Sequence, residues 1–102
     1  MNLHGILDQL DEIIYISDPD TYELLFLNRC ARNKFGELKP GARCYEALQG
    51  AEQPCPFCTN ETLKNCQGHR LTWVRQHPEV GSMLLHDSLI EYNGKLCRME
   101  EA

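Results

Sequence analysis

The stretch "LDEIIYISDPDTYELLFLNRCARNKFG", residues 10–36, decides how this chain folds. Ile13 to Ser17 is β-branched and aromatic and reads as a strand. Asp18-Pro19-Asp20-Thr21 is turn chemistry, because aspartate bonds its own backbone and proline presets φ. "ELLFLN" (23–28) begins a second strand. Asn28 follows where it can cap a helix, "RCARNKFG", that stops at Gly36.

Upstream, Leu3, Ile6, Leu7 and Leu10 recur at i, i+3, i+4 and i+7, with Asp8, Asp11 and Glu12 on the polar side. Residues 1–12 therefore form an amphipathic helix, too short to be stable alone. Its stripe must dock on its own sheet or on a second copy of the chain. On the second reading Leu3, Ile6, Leu7 and Leu10 are the dimer contact.

Downstream, "ELKPG" is a loop and "ARCYEALQG" a helical turn ending at Gly50. "AEQPCPFC" is a Pro-broken connection. Thr59 or Asn60 caps a last helix, "ETLKNCQG", with Gly68 at its end. "HRLTWVRQH" alternates around Leu71, Trp73 and Val74. "SMLLHDSLIEY", the turn Asn93-Gly94 and "KLCRMEEA" read as a tight hairpin. With that turn Tyr92 faces Lys95, Ile90 faces Cys97 and Ser88 faces Met99. Ile90, Cys97 and Met99 then share a face, taken as the inner one. The order β-β, short helices, β-β-β predicts an α+β domain with a five-stranded antiparallel sheet, residues 13–102 following the N-terminal helix.

The chain has 102 residues, a net charge of −5, a pI near 5.3, 42% hydrophobic and 25% charged residues. That is an ordinary globular composition for one domain. The acidic balance argues against nucleic acid or an anionic membrane as partner. No apolar run approaches the roughly 20 residues that span a bilayer, and "MNLHGILDQLDE" lacks the basic start of a signal peptide. A cytoplasmic location is expected. There the six cysteines would be mostly reduced.

With these elements in place, residues 10–36 resemble the opening of a PAS domain. There a first strand ends in an acidic turn, a second ends in Asn, and a helix closes on Phe-Gly. The last three strands and "EYNGKLCRME" resemble that family's C-terminal half. "GARCYEALQGAEQPCPFCTNETL" is similar to a Cys-bearing variant found on bacterial sensors, ahead of histidine kinase or diguanylate cyclase output domains. The family usually ends its last strand in an Asp-Ile-Thr-like segment, whereas this chain stops at "RMEEA". The resemblance thus implies a fragment of a larger signalling protein: a homodimeric, non-enzymatic module, covered by short helices on one face of its sheet. It would detect a small ligand or redox state and relay it to a covalently linked output domain.

Cys55-Pro56-Phe57-Cys58 taken alone is similar to a glutaredoxin site, in which the first thiol sits at a helix N-terminus. That fold needs a strand directly before the motif; here the turn "GAEQP" precedes it. A thiol–disulfide redox protein using Cys55 and Cys58 is one alternative. A metal-stabilised interaction module is another, with zinc or an iron–sulfur cluster on Cys44, Cys55, Cys58 and Cys66, or with His69 in place of Cys66. The plainer reading makes these cysteines small core residues. Haem is not expected, because none of His4, His69, His77 and His86 lies in the central helices. Flavin is not expected either: "NRCARNKF" carries Asn-Arg-Cys at the start of the wrong helix. No paired acids, Ser/His/Asp set or Gly-rich phosphate loop supports catalysis. A sheet covered by helices encloses a space suited to a small ligand. Phe26, Phe35, Tyr45, Leu48, Phe57 and Trp73 are the candidates to line it, or to fill it as solid core.

Overall fold

The computed structural model describes residues 3–53, 60–65, 67–77 and 81–102. Strands β1 (Ile14–Ser17) and β2 (Leu24–Leu27) pair antiparallel around the predicted turn. Asp18 Oδ1 accepts the backbone N–H of Asp20 and Thr21 at 2.8 and 3.2 Å, the local bonding that favours aspartate there. Asn28 caps α2 (Arg29–Phe35), accepting from Ala31 N at 3.0 Å, and the N–H of Gly36 closes the helix onto Arg32 O.

Helices α3 (Cys44–Gln49) and α4 (Asn60–Asn65) follow, then a single 3-10 turn (Gln67–His69). Strands β3 (Arg70–His77), β4 (Gly81–Tyr92) and β5 (Lys95–Glu101) complete the sheet. Every pairing is antiparallel and the strand order is β2-β1-β5-β4-β3. First and last strands therefore lie side by side at the centre. Asn93 (φ 53°) and Gly94 (φ 80°) both adopt positive φ, as the tightest hairpin turn requires. Tyr92↔Lys95, Ile90↔Cys97 and Ser88↔Met99 pair as expected.

The sheet has two apolar faces. One carries Tyr15, Leu24 and Leu27 under Ala31, Cys44 and Tyr45, with Phe35 and Leu48 packed on them. The other carries Ile16, Phe26, Tyr92 and Cys97, with Leu7, Ile90 and Met99. Ile90, Cys97 and Met99 do share a face, but it is this second one, opposite α2 and α3. The expectation that they point under the helical cover is corrected. Their partners in the alternation, Arg98 and Glu100, point under the cover instead, so hydropathy alone favours the wrong phase.

Helix α1 spans Leu3–Asp8, shorter than residues 1–12, and Leu10 lies beyond it. It crosses the second face. His4 stacks on Phe26 (centroids 4.4 Å apart) and its Nε2 lies 2.6 Å from the Tyr92 hydroxyl. The predicted stripe is divided: Leu7 packs on the sheet, whereas Leu3, Ile6 and Leu10 remain 49, 44 and 41% exposed.

Candidate functional site

Between the sheet and the helical cover lies a group of charged side chains that burial makes costly. Strand alternation places Tyr15, Asp87, Arg98 and Glu100 on the covered face, and Tyr15 and Asp87 are the β1 and β4 residues directly paired with Glu100. Arg98 Nη2 lies 3.2 Å from Asp87 Oδ2 and 2.9 Å from Glu100 Oε1. The three side chains, Arg98, Asp87 and Glu100, are 5, 0 and 14% exposed. Trp73 on β3 donates its indole N–H to Asp87 Oδ2 at 2.6 Å. From α4, Asn60 Oδ1 accepts from Arg98 at 3.5 Å, and its amide donates to Pro19 O in the β1–β2 turn at 3.1 Å. The guanidinium also stands 5.9 Å from the centroid of the Tyr15 ring.

This environment moves two acids. Burial, and then a hydrogen bond that the protonated Glu100 donates to Asp87, push the Glu100 carboxyl from 4.5 up to about 7, while Arg98 pulls the other way. Burial, then the neighbouring Glu100 charge, pushes the Tyr15 phenol well above its usual value, so it stays a neutral donor. Between about pH 4.5 and 7 the fold thus favours a protonated Glu100, whereas the unfolded chain favours the carboxylate. That contribution to stability is fully present below about pH 4.5 and is lost as pH rises through about 7. The gap corresponds to about 3 kcal/mol. Urea unfolding of the wild type should therefore show a fall of that size between pH 4.5 and 8, and Glu100→Gln should flatten it.

A cavity of about 70 Å³ adjoins the group, lined by Tyr15, Phe35, Leu48, Leu85 and Glu100, with Lys34 and Arg75 also at its boundary. Of the predicted lining residues, Phe35 and Leu48 border it. Tyr45 is buried beside it in the helical-cover core, edge-on to Tyr22 at 5.6 Å. Trp73 belongs to the charged group. Phe26 lies on the opposite face under His4, and Phe57 falls outside the described residues. A larger open groove of about 280 Å³ runs along α2 and α3 over Leu24, Leu27 and Phe35.

Cys55, Cys58 and Cys66 fall outside the described residues, so the Cys-Pro-Phe-Cys readings have no geometry to report. Cys44 is buried against the helical-cover core. His69 Nδ1 lies 2.8 Å from Leu63 O. Among the described residues no three His, Cys, Asp or Glu side chains converge as a metal site, and no helix is long and apolar enough to cross a membrane. Asp87, Arg98 and Glu100 were missed by sequence reasoning. The signal that could have found them is three charged residues on one side of two strands bounded by apolar positions.

No family model and no curated protein matches this sequence. Solved structures do match its fold. The PAS domain of nitrogen regulation protein NR(II) from Vibrio parahaemolyticus superposes with a TM-score of 0.65 at 17% identity, covering 99% of this chain and 96% of that one. The PAS domain of an HTR-like protein from Haloarcula marismortui gives 0.63 at 13% identity, covering 97% and 90%. A PAS domain from Desulfitobacterium hafniense gives 0.59 at 13%, covering 95% of each. The chain has the PAS fold.

Proposed function

We propose that this domain is a sensory module that detects a chemical signal under its helical cover and relays it to an attached output domain, such as a histidine kinase or a diguanylate cyclase. The observation that carries the reading is the Arg98–Asp87–Glu100 group. A buried ion pair contributes little net stability compared with well-packed apolar residues in many proteins, so the burial of three charges here favours a role in use over one in stability. Signalling then operates as a population shift. A ligand or redox change that favours one arrangement of α2 to α4 also biases β5, which carries two of the three charges. Ile13 and Ala102 exchange both backbone hydrogen bonds at 3.0 and 2.9 Å. A chain continuing past Ala102 would therefore leave beside the start of β1.

The reading is tested by joining this domain to a diguanylate cyclase output and filling the cavity with Leu48→Trp. Cyclase activity should change several-fold, while the same output carrying Val74→Ala on the exposed strand face should not. Equal activity in both would count against relay.

The divided stripe of α1 supports a homodimer. Leu3, Ile6 and Leu10 present apolar surface beside a helix that already uses Leu7 to hold the sheet. Sedimentation should find a dimer at micromolar concentration, and Ile6→Asp should shift it to monomer without loss of fold. A wild type that sediments as a monomer would remove this contact.

A further inference from the structure

Asp87 and Glu100 stand directly opposite each other in the β4–β5 ladder and turn to the same guanidinium. Two ionised carboxylates against one cation leave an excess negative charge beneath the cover. At this burial such a charge is costly, and like charges directly opposite in a ladder repel. A proton held between the two carboxyl groups cancels the excess and turns repulsion into a hydrogen bond.

Among the described residues, the elements packed on the group bring it mainly neutral donors. β1 supplies the Tyr15 phenol, β3 the Trp73 indole and α4 the Asn60 amide. α3 brings Leu48 to the cavity and buries the Cys44 thiol in the same core as Tyr15, while Lys34 of α2 is exposed and Arg75 of β3 half-buried at the cavity's boundary. Both lie nearer water, which screens them.

We propose that Glu100, set directly opposite Asp87, is a proton-binding site, holding a proton that it donates toward the Asp87 carboxylate and releasing it to water as the surroundings turn alkaline. Release leaves Arg98 facing two carboxylates and places repulsion at the penultimate pair of β5. That pair is joined to β1 through Tyr15↔Glu100. The upward displacement of the Glu100 carboxyl agrees with this assignment. As a signal to an output domain the proton rests on the sensory reading above; as a binding site it does not.

The test is carbon-detected NMR of the glutamate and aspartate carboxyls of the full chain, titrated from pH 4 to 9. One glutamate carboxyl, absent in Glu100→Gln, should titrate near neutrality. The indole N–H of Trp73, the chain's single tryptophan, should move with the same midpoint. In Asp87→Asn the glutamate midpoint should drop by more than one pH unit. A Glu100 carboxyl titrating like an exposed glutamate would overturn the proposal. So would an indole titration that persists in Glu100→Gln. If Asp87→Asn does not fold, the wild-type and Glu100→Gln curves still decide. Failure here leaves the sensory reading standing, since that is judged by the cyclase fusion.

Discussion

Arg98→Ala should lower the unfolding free energy by about 3–5 kcal/mol at pH 8, the usual cost of removing one partner from a buried ion pair. The substitution leaves Asp87 and Glu100 under the helical cover with their shared cation gone. It also removes the contact to Asn60 on α4, so helix and sheet lose a polar tie as well. The deficit should depend on pH in a definite direction. Without Arg98 the Glu100 carboxyl takes up its proton more readily, and a raised carboxyl pKa stabilises the fold only while the proton is held. The difference from wild type should thus be smallest near pH 5 and grow as pH rises. Urea unfolding followed by Trp73 fluorescence measures it, because that indole donates to Asp87 at 2.6 Å and reports the group directly. A deficit below about 1 kcal/mol at pH 8 would mean that the guanidinium is not what holds these acids.

Asn28→Ala should cost a similar amount, about 3–5 kcal/mol, for a different reason. The side chain is fully buried and satisfies four backbone groups. Its Oδ1 accepts from Ala31 N at 3.0 Å and Ile14 N at 3.1 Å. Its Nδ2 donates to Leu7 O at 3.0 Å and Glu12 O at 2.8 Å. One residue therefore caps α2, fixes the start of β1 and ties down the chain on either side of α1's end. A lost cap alone costs about 1 kcal/mol; the larger figure comes from the other stranded groups, each worth about 1–3 kcal/mol when buried, less where water reaches them. Asn28→Asp keeps the acceptor and loses the donor, so it should fall between wild type and alanine. Hydrogen exchange should show Ile14 and Ala31 losing protection in Asn28→Ala but keeping it in Asn28→Asp. Equal exchange at Ile14 in all three proteins would separate the two halves of this argument.

Both predictions bear on how far the reading from sequence reaches. Asn28 as a cap, Gly36 as a stop, the Asp18 turn and the Asn93-Gly94 hairpin were all legible, because each depends on chemistry within four residues. The register of β4 against β5 followed from the turn alone. The amphipathic stripe of α1 was legible as a pattern, yet the pattern did not say that Leu7 would dock while Leu3, Ile6 and Leu10 stayed exposed. That division depends on where Asn28, twenty-one residues later, pins the helix end.

Local chemistry in the sequence thus determined the elements, their order and the antiparallel pairing of the last hairpin. Tertiary structure alone decided which face of that hairpin lies under the helices, since alternation specifies two faces without saying which is covered. That choice turned Arg98 and Glu100 inward beside Asp87 and sent Phe26 to the far side. The physical reason is that burying charge is favourable only when its partners arrive from other strands, and no window of sequence contains residues 15, 73, 87, 98 and 100 together.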